Sequence, residues 1–247
     1  MVSKNQIKLI TSLLQKKYRK QEQLFFAEGI KVIEELIDST FELEHIFCTS
    51  DLFPTISVQK KTIISDSDLK KISALKTPND CLALFKIPIE KEINTNGLLI
   101  ALDDIRDPGN LGTIIRLCDW FGITQIICSQ ECVDVYNPKV VQATMGSIGR
   151  VNISYLDLNK YLTNTKLPIY GTFMEGENIY KKNLLPEGII VLGNEANGIS
   201  EKIEKLVTQK ISIPRFGNLQ RTESLNVATA TAIVLNEFKR GFNETQN

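Results

Sequence analysis

Leu98-Leu99-Ile100-Ala101-Leu102-Asp103-Asp104-Ile105-Arg106-Asp107-Pro108-Gly109-Asn110-Leu111-Gly112-Thr113-Ile114-Ile115-Arg116 is the stretch that decides the fold. Five consecutive apolar residues running straight into a turn read as a strand buried on both faces, because a half-exposed strand would alternate. Pro108-Gly109 turns the chain, and Asn110 stands where it can cap the helix that follows over residues 111–120. The same rhythm continues downstream. Strands are predicted at 125–129, 151–155, 169–173, 188–192 and 210–213, with helices at 138–148, 200–206 and 224–239. Alternation of this kind implies an α/β protein with a mostly parallel, doubly wound sheet and a ligand site at the C-terminal ends of its strands.

Upstream the elements are smaller. Ile7, Ile10, Leu13 and Leu14 give residues 5–20 helical spacing, and strands are predicted at 24–27, 45–49, 62–65 and 81–86, with helices at 30–37 and 68–75. Residues 87–97 are crowded with charged and turn-forming residues. The expected organisation is a small α/β domain over 1–90, a linker over 91–97 and a larger domain over 98–247.

The chain of 247 residues is 43% apolar and 23% charged, which excludes wholesale disorder. No window holds 18 uninterrupted apolar residues, so no membrane span is expected, and the first twenty residues lack the pattern of a secretory signal peptide. The single histidine, His45, lies in an apolar stretch and reads as an ordinary strand residue; its solitude removes most histidine-rich metal sites. Cys48, Cys81, Cys118, Cys128 and Cys132 are odd in number and show no C-x-x-C pair. They read as buried thiols of a reducing, cytoplasmic compartment, with no metal expected.

Basic and acidic residues balance at 29 each, which is not the footprint of a bulk electrostatic nucleic-acid binder. The charge is uneven, however: Lys4, Lys8, Lys16, Lys17, Arg19 and Lys20 all precede the first acid, Glu22. This run is either a solvated helix face or a phosphate-contacting one.

Two further turns occupy predicted strand ends. Leu192-Gly193-Asn194-Glu195-Ala196-Asn197-Gly198-Ile199 follows a strand and opens a helix, which suits close backbone approach to a ligand. Ile213-Pro214 leads through a loop to Ser224-Leu225-Asn226-Val227-Ala228, where Ser224 is a natural N-cap. The helix beyond is apolar nearly all round, as a core or interface helix would be. Arg116, six residues past Asn110, reads by itself as a surface arginine. Gly109-Asn110-Leu111-Gly112 matches the GXXG loop of an RNA-binding domain, but four residues weigh little. Neither G-x-G-x-x-G nor a P-loop is present, which removes the main support for a dinucleotide or nucleoside triphosphate site.

Taken in this order the three turns resemble the SpoU (TrmH-like) branch of the SPOUT superfamily, RNA ribose 2′-O-methyltransferases that use S-adenosylmethionine. Asn110-Leu111-Gly112 with Arg116 is similar to the first motif of that family. Leu192 to Ile199 is similar to the second, and Ile213-Pro214 with Ser224 to Ala228 to the third. Asn137-Pro138-Lys139-Val140-Val141 with Met145-Gly146-Ser147 resembles a stretch between the first two. The loop 215–223 is longer than the family's short glycine-containing link; Arg215 and Arg221 within it are left to contact RNA, the cofactor carboxylate or solvent alone.

The resemblance implies a trefoil knot in the C-terminal sheet, a homodimer, and a small ribosomal-protein-like N-terminal domain that binds RNA. It implies catalytic roles for Arg116, Asn110, Glu195, Ser224 and Asn226, with Glu195 holding Arg116 or the cofactor and Asn110 positioning Arg116. Gly193, Glu195, Gly198, Ile213 and Leu225 are implied to bind the cofactor. Lys16, Lys17, Arg19 and Lys20 become candidates for RNA phosphate contacts. Ribosomal RNA is favoured as substrate over transfer RNA; a base methyltransferase and a non-catalytic RNA-binding protein of the same fold are the rivals.

Overall fold

The computed structural model describes the backbone of residues 1–217 and 224–243 and the side chains of those residues up to 240. Arg221 and its neighbours in the long loop lie outside the described residues. In chain order the elements begin with α1 (Lys4–Ser12), α2 (Lys16–Glu22), β1 (Leu24–Glu28) and α3 (Ile30–Ile37). They continue with β2 (Leu43–Cys48), β3 (Lys61–Ile63), α4 (Asp66–Ile72), β4 (Cys81–Lys86), β5 (Leu98–Asp103), α5 (Pro108–Trp120) and β6 (Gln125–Cys128). The rest are α6 (Pro138–Thr144), β7 (Asn152–Tyr155), α7 (Leu158–Asn164), β8 (Ile169–Asn178), β9 (Gly188–Gly193), α8 (Glu201–Glu204), β10 (Gln209–Ser212) and α9 (Val227–Asn243).

Two compact units result: Met1–Glu90 with Asp134–Arg150, and Lys91–Val133 with Val151–Asn247. The first holds a four-stranded sheet in the order β1-β4-β2-β3, with β4 antiparallel to both neighbours and β2 parallel to β3. Its core gathers Ile10, Leu13, Phe26, Phe47, Leu69 and Leu82. Residues 134–150 depart from the expected 98–247 domain, and their partners explain why. The Tyr136 ring packs 4.8 Å from that of Phe25, and Arg150 pairs with Glu35 at 2.6 Å.

The continuous helix expected over 5–20 is broken. Gln15 adopts an extended conformation between α1 and α2. The Arg19 guanidinium donates to the freed carbonyls of Leu13 and Leu14, at 2.7 and 3.0 Å, and its other nitrogens pair with Asp134. Arg19 is 2% exposed, which overturns its expected role as a phosphate contact: its donors are spent inside the unit. Lys16, Lys17 and Lys20 remain exposed. The helix expected over 138–148 stops at Thr144, because Met145 and Gly146 both take left-handed conformations, φ 50° and 95°.

The second unit holds a six-stranded sheet in the order β10-β8-β9-β5-β6-β7, and every pairing within it is parallel. All six residues of β5 are buried, as the apolar run predicts, and β5 lies between β9 and β6. Leu99, Ala101, Ile127, Ile189, Val191 and Ile203 form a core cluster on this sheet. Helix α7 is an addition to the sequence reading. Asp157 caps it by accepting from Lys160 N at 3.0 Å, and Leu158 and Leu162 are buried. The C-terminal ends of β5 and β9 place the first two motif turns side by side, since Asp103 is in register with Gly193.

All five cysteines are buried thiols. Cys132 Sγ accepts from Ile105 N at 3.2 Å, so its spacing from Cys128 serves the loop after β5. No helix among the described residues is long and apolar enough to cross a membrane.

Candidate active site

The turn after β9 is closed by its own backbone. Asn194 N donates to Gly198 O at 3.0 Å, and Gly198 N returns to Asn194 O at 2.8 Å. The Asn194 side chain accepts from Ala196 N at 2.9 Å and from Asn197 N at 3.3 Å, while its amide donates to Asp104 O at 2.8 Å. Buried Asp103 accepts from Ser200 N at 2.7 Å. The end of β5 therefore holds both ends of the second motif. Asn194, Asp103 and Asp104 are site-building residues that the sequence reading missed, although all three lie at the strand ends that carry the first two motifs.

Gly193 owes its identity to this closure. A Cβ at position 193 would overlap the backbone of Gly198 and Ile199. Gly198 itself sits at φ 67°, a conformation that glycine adopts without penalty.

A cleft of 1360 Å³ opens against this turn. Its lining includes Gly193, Glu195, Gly198, Ile213 and Leu225, all five residues expected to contact the cofactor, together with Ser224. Thr172, Ile211 and Val234 add to its apolar and neutral walls, and Glu175, Glu204, Lys210 and Arg215 bring charge to the lining. Leu225 is 46% exposed, so part of the apolar lining still faces solvent.

The expected catalytic residues divide into two groups. Asn110, Glu195 and Asn226 form one hydrogen-bonded series: the Asn110 amide donates to Glu195 Oε1, and Asn226 Nδ2 donates to Asn110 Oδ1 at 2.8 Å. Asn226 also caps α9, its Oδ1 accepting from Ala228 N at 3.0 Å and from Thr229 N at 3.2 Å. This corrects the assignment of the cap to Ser224, which is exposed ahead of the helix. The expected cap at Asn110 also moves. Asp107 caps α5 by accepting from Asn110 N at 2.8 Å, and Asn110 lies in the first turn.

Arg116 stands apart. Six residues along an α-helix is about 240° of rotation, so Arg116 and Asn110 occupy different faces of α5. Arg116 shares an exposed stripe with Gly109, Thr113 and Trp120, where Trp120 is 85% exposed. It hydrogen-bonds to no described residue; Asn110 pairs with Glu195 instead of Arg116, and Glu195 keeps its place in the cleft lining.

His45 lies outside the cleft, on β2, within 2.8 Å of Thr62 Oγ1. Burial pushes its imidazole below the usual histidine range, and the nearby Glu44 carboxylate opposes this only partly. It is the strand residue that its sequence context suggests.

Two family models match successive parts of the chain. The family model described as SpoU rRNA Methylase matches residues 97–236, and that of the MRM3-like substrate binding domain matches residues 4–83. The 23S rRNA (guanosine(2553)-2′-O)-methyltransferase RlmP of Bacillus subtilis is 28% identical over 244 residues, covering 94% of this chain and 96% of that protein. A solved structure from Porphyromonas gingivalis, assigned to the TrmH family of RNA methyltransferases, superposes with a TM-score of 0.89 at 37% identity, covering 98% of this chain and 99% of the other. The AdoMet-bound rRNA methyltransferase of Sinorhizobium meliloti superposes with a TM-score of 0.85 at 25% identity, covering 98% and 97%. The SpoU match spans more than half of this chain and runs through all three turns that build the cleft, so the chain belongs to the SpoU rRNA methylase family.

Proposed function

We propose that this protein transfers a methyl group from S-adenosylmethionine to a ribose 2′-hydroxyl of ribosomal RNA. The observation that carries the reading is the meeting of the three motif turns. Asn110, Glu195 and Asn226 are joined in series beside a cleft lined by Gly193, Ile213 and Leu225. The named activity of the relatives supplies the chemistry.

The cleft suits the cofactor. A neutral adenine is held by peptide groups and an apolar slot rather than by charge, and the turn at Gly193 together with Ile211, Ile213 and Leu225 offers both. Its 1360 Å³ exceeds the roughly 300–1000 Å³ of ordinary small-molecule sites, leaving room for part of a nucleotide beside the cofactor. The bound cofactor supplies an already activated methyl on a sulfonium. What the protein contributes is alignment of the attacking hydroxyl and help in removing its proton.

Arg116 is proposed to orient the 2′-hydroxyl and stabilise the developing alkoxide. A guanidinium remains protonated and so serves poorly as a base. Glu195 and Asn226 hold Asn110, and Ser224 meets the incoming nucleotide at the cleft wall. Because Arg116 lies on the exposed stripe of α5, its role requires the substrate or a second subunit to bring that stripe to a cleft. A homodimer is proposed on the same ground, supported by the exposure of Trp120 beside it. Lys16, Lys17 and Lys20 are proposed to contact RNA phosphates, with the first unit serving as a ribosomal-protein-like substrate-binding domain. The second unit is read as a trefoil knot. That reading follows from the family to which the chain belongs. A cytoplasmic location fits the five thiols.

Incubation with methyl-labelled S-adenosylmethionine and either unmodified large-subunit RNA or unmodified transfer RNA tests the reading. Label is expected in RNA, with one ribose becoming resistant to alkaline cleavage. Label in a base, or in transfer RNA alone, would replace the reading with a rival.

A further inference from the structure

Beside the cleft stands an aromatic pair that none of the roles above employs. Tyr180 lies on the short 3₁₀ turn Ile179–Lys181, and Phe216 lies between Arg215 and Gly217. Ile179, Arg215 and Gly217 all line the cleft, which puts both rings at its margin. Their centroids are 6.5 Å apart with planes inclined by 30°. That is the long end of the roughly 4.5–7 Å range for paired rings, so the two bury little of each other. Phe216 is 83% exposed and Tyr180 41%.

Such exposure of large rings at a functional cleft points to a partner that covers them. The charge around the rings says which kind. Tyr180 is followed by Lys181, which is exposed, and Phe216 is preceded by Arg215. Flat π-faces interleaved with cations suit unpaired nucleotides, in which bases stack on rings while phosphates meet the cations.

We propose that Tyr180 and Phe216 form a stacking shelf for an unpaired RNA base next to the ribose presented to the cleft. This rests on the reading that the substrate is RNA. A ribose can enter a cleft of this kind when its nucleotide leaves the stack of its neighbours, and the lost stacking is offset where an aromatic face takes the base. The shelf thereby selects unpaired target sites and tolerates any base, since every base has a π-face.

The test replaces each ring by one that keeps its apolar bulk without its face, Tyr180→Leu and Phe216→Leu, beside ring-keeping controls, Tyr180→Phe and Phe216→Trp. Filter binding and steady-state kinetics use unmodified large-subunit RNA transcribed in vitro. Each leucine variant is expected to weaken RNA binding and raise KM for RNA about tenfold, the loss of one base–aromatic stack. Affinity for S-adenosylmethionine and kcat should stay within about twofold, and both controls should match wild type. Unchanged RNA affinity in the leucine variants overturns the proposal. So does weakened cofactor binding alone, which would make the rings a cofactor wall, or a changed oligomeric mass, which would make them an interface. Failure of the wild-type protein to methylate RNA refutes the proposed activity instead, and filter binding still decides whether the rings hold a base.

Discussion

Arg19→Gln separates a structural from an electrostatic use of the basic N-terminal run. The Arg19 side chain is 3% exposed and that of its partner Asp134 14%. Three of its nitrogens serve Asp134 and the carbonyls of Leu13 and Leu14. Glutamine leaves the aspartate without its cation and the carbonyls of the α1–α2 break without their donor. Removing one member of a buried pair costs about 3–5 kcal/mol. Asp134 keeps some contact with water, so a loss of about 3 kcal/mol is expected, read as a shift of the urea midpoint at unchanged slope. The variant Lys16→Gln/Lys17→Gln/Lys20→Gln alters three exposed side chains and should stay within about 0.5 kcal/mol of wild type. RNA binding should reverse the order. Each phosphate that is no longer neutralised lowers the salt slope by about 0.7–0.9, so the triple variant should fall by roughly 2 and Arg19→Gln, while folded, by almost nothing. Arg19→Gln with wild-type stability and a reduced salt slope would refute the burial argument and return Arg19 to the RNA-facing surface.

Three other outcomes follow from the geometry. Arg116→Ala should reduce kcat for RNA methylation on the order of a hundredfold or more while cofactor affinity by calorimetry changes only a few-fold; near-normal turnover would remove Arg116 from the chemistry. Gly193→Ala should cost about 2 kcal/mol or more in urea unfolding and abolish cofactor binding, because the new Cβ meets backbone at Gly198 that has no room to give; a stable, cofactor-binding variant would show the closure to be loose. Burial raises the Glu28 carboxyl above its ordinary 4.5, against hydrogen bonds from Ser73 and Ala74 N, so the folded state holds that proton more tightly than the unfolded chain does. The stabilisation is fully present below pH 4.5 and is lost as pH rises through the folded value. The Tm of Glu28→Gln relative to wild type should therefore climb across that window, and a pH-independent difference would contradict it.

The second unit was legible where burial leaves a mark in composition. β5 announces itself because a strand covered on both faces loses its alternation, and β9 does the same at Gly188–Gly193. α7 was not legible, since seven residues carrying two buried leucines are too few to establish a helical period. The α1–α2 break escaped for a different reason. Apolar spacing runs unbroken through Leu13 and Leu14, and Asp134, which fixes Arg19, lies 115 residues downstream. The same distance hid the allegiance of residues 134–150, whose partners Phe25 and Glu35 are far away in sequence. The two capping corrections have a local cause: Ser, Asp and Asn cap helices about equally well, so composition alone does not choose between Ser224 and Asn226 or between Asp107 and Asn110.

The site shows most sharply what a motif match conveys and what it leaves to geometry. The matched residues belong together, yet their order of contact differs from the one expected, with Asn110 rather than Arg116 at the centre. Only a side chain that both donates and accepts can hold that place, because its Nδ2 gives a hydrogen bond to Glu195 while its Oδ1 takes one from Asn226. An aspartate there would set two carboxylates against each other, and a leucine would leave both partners unmatched. Asn110 is 85 residues from Glu195 and 116 from Asn226, so this one amide ties the third turn to the two that β5 and β9 already hold side by side. Asn226, in turn, fixes the start of α9 through its cap. The positions of Leu225 and Ser224 at the cleft therefore depend on hydrogen bonds made away from it, and keeping the chemistry of this cleft requires keeping an amide that stands outside its lining.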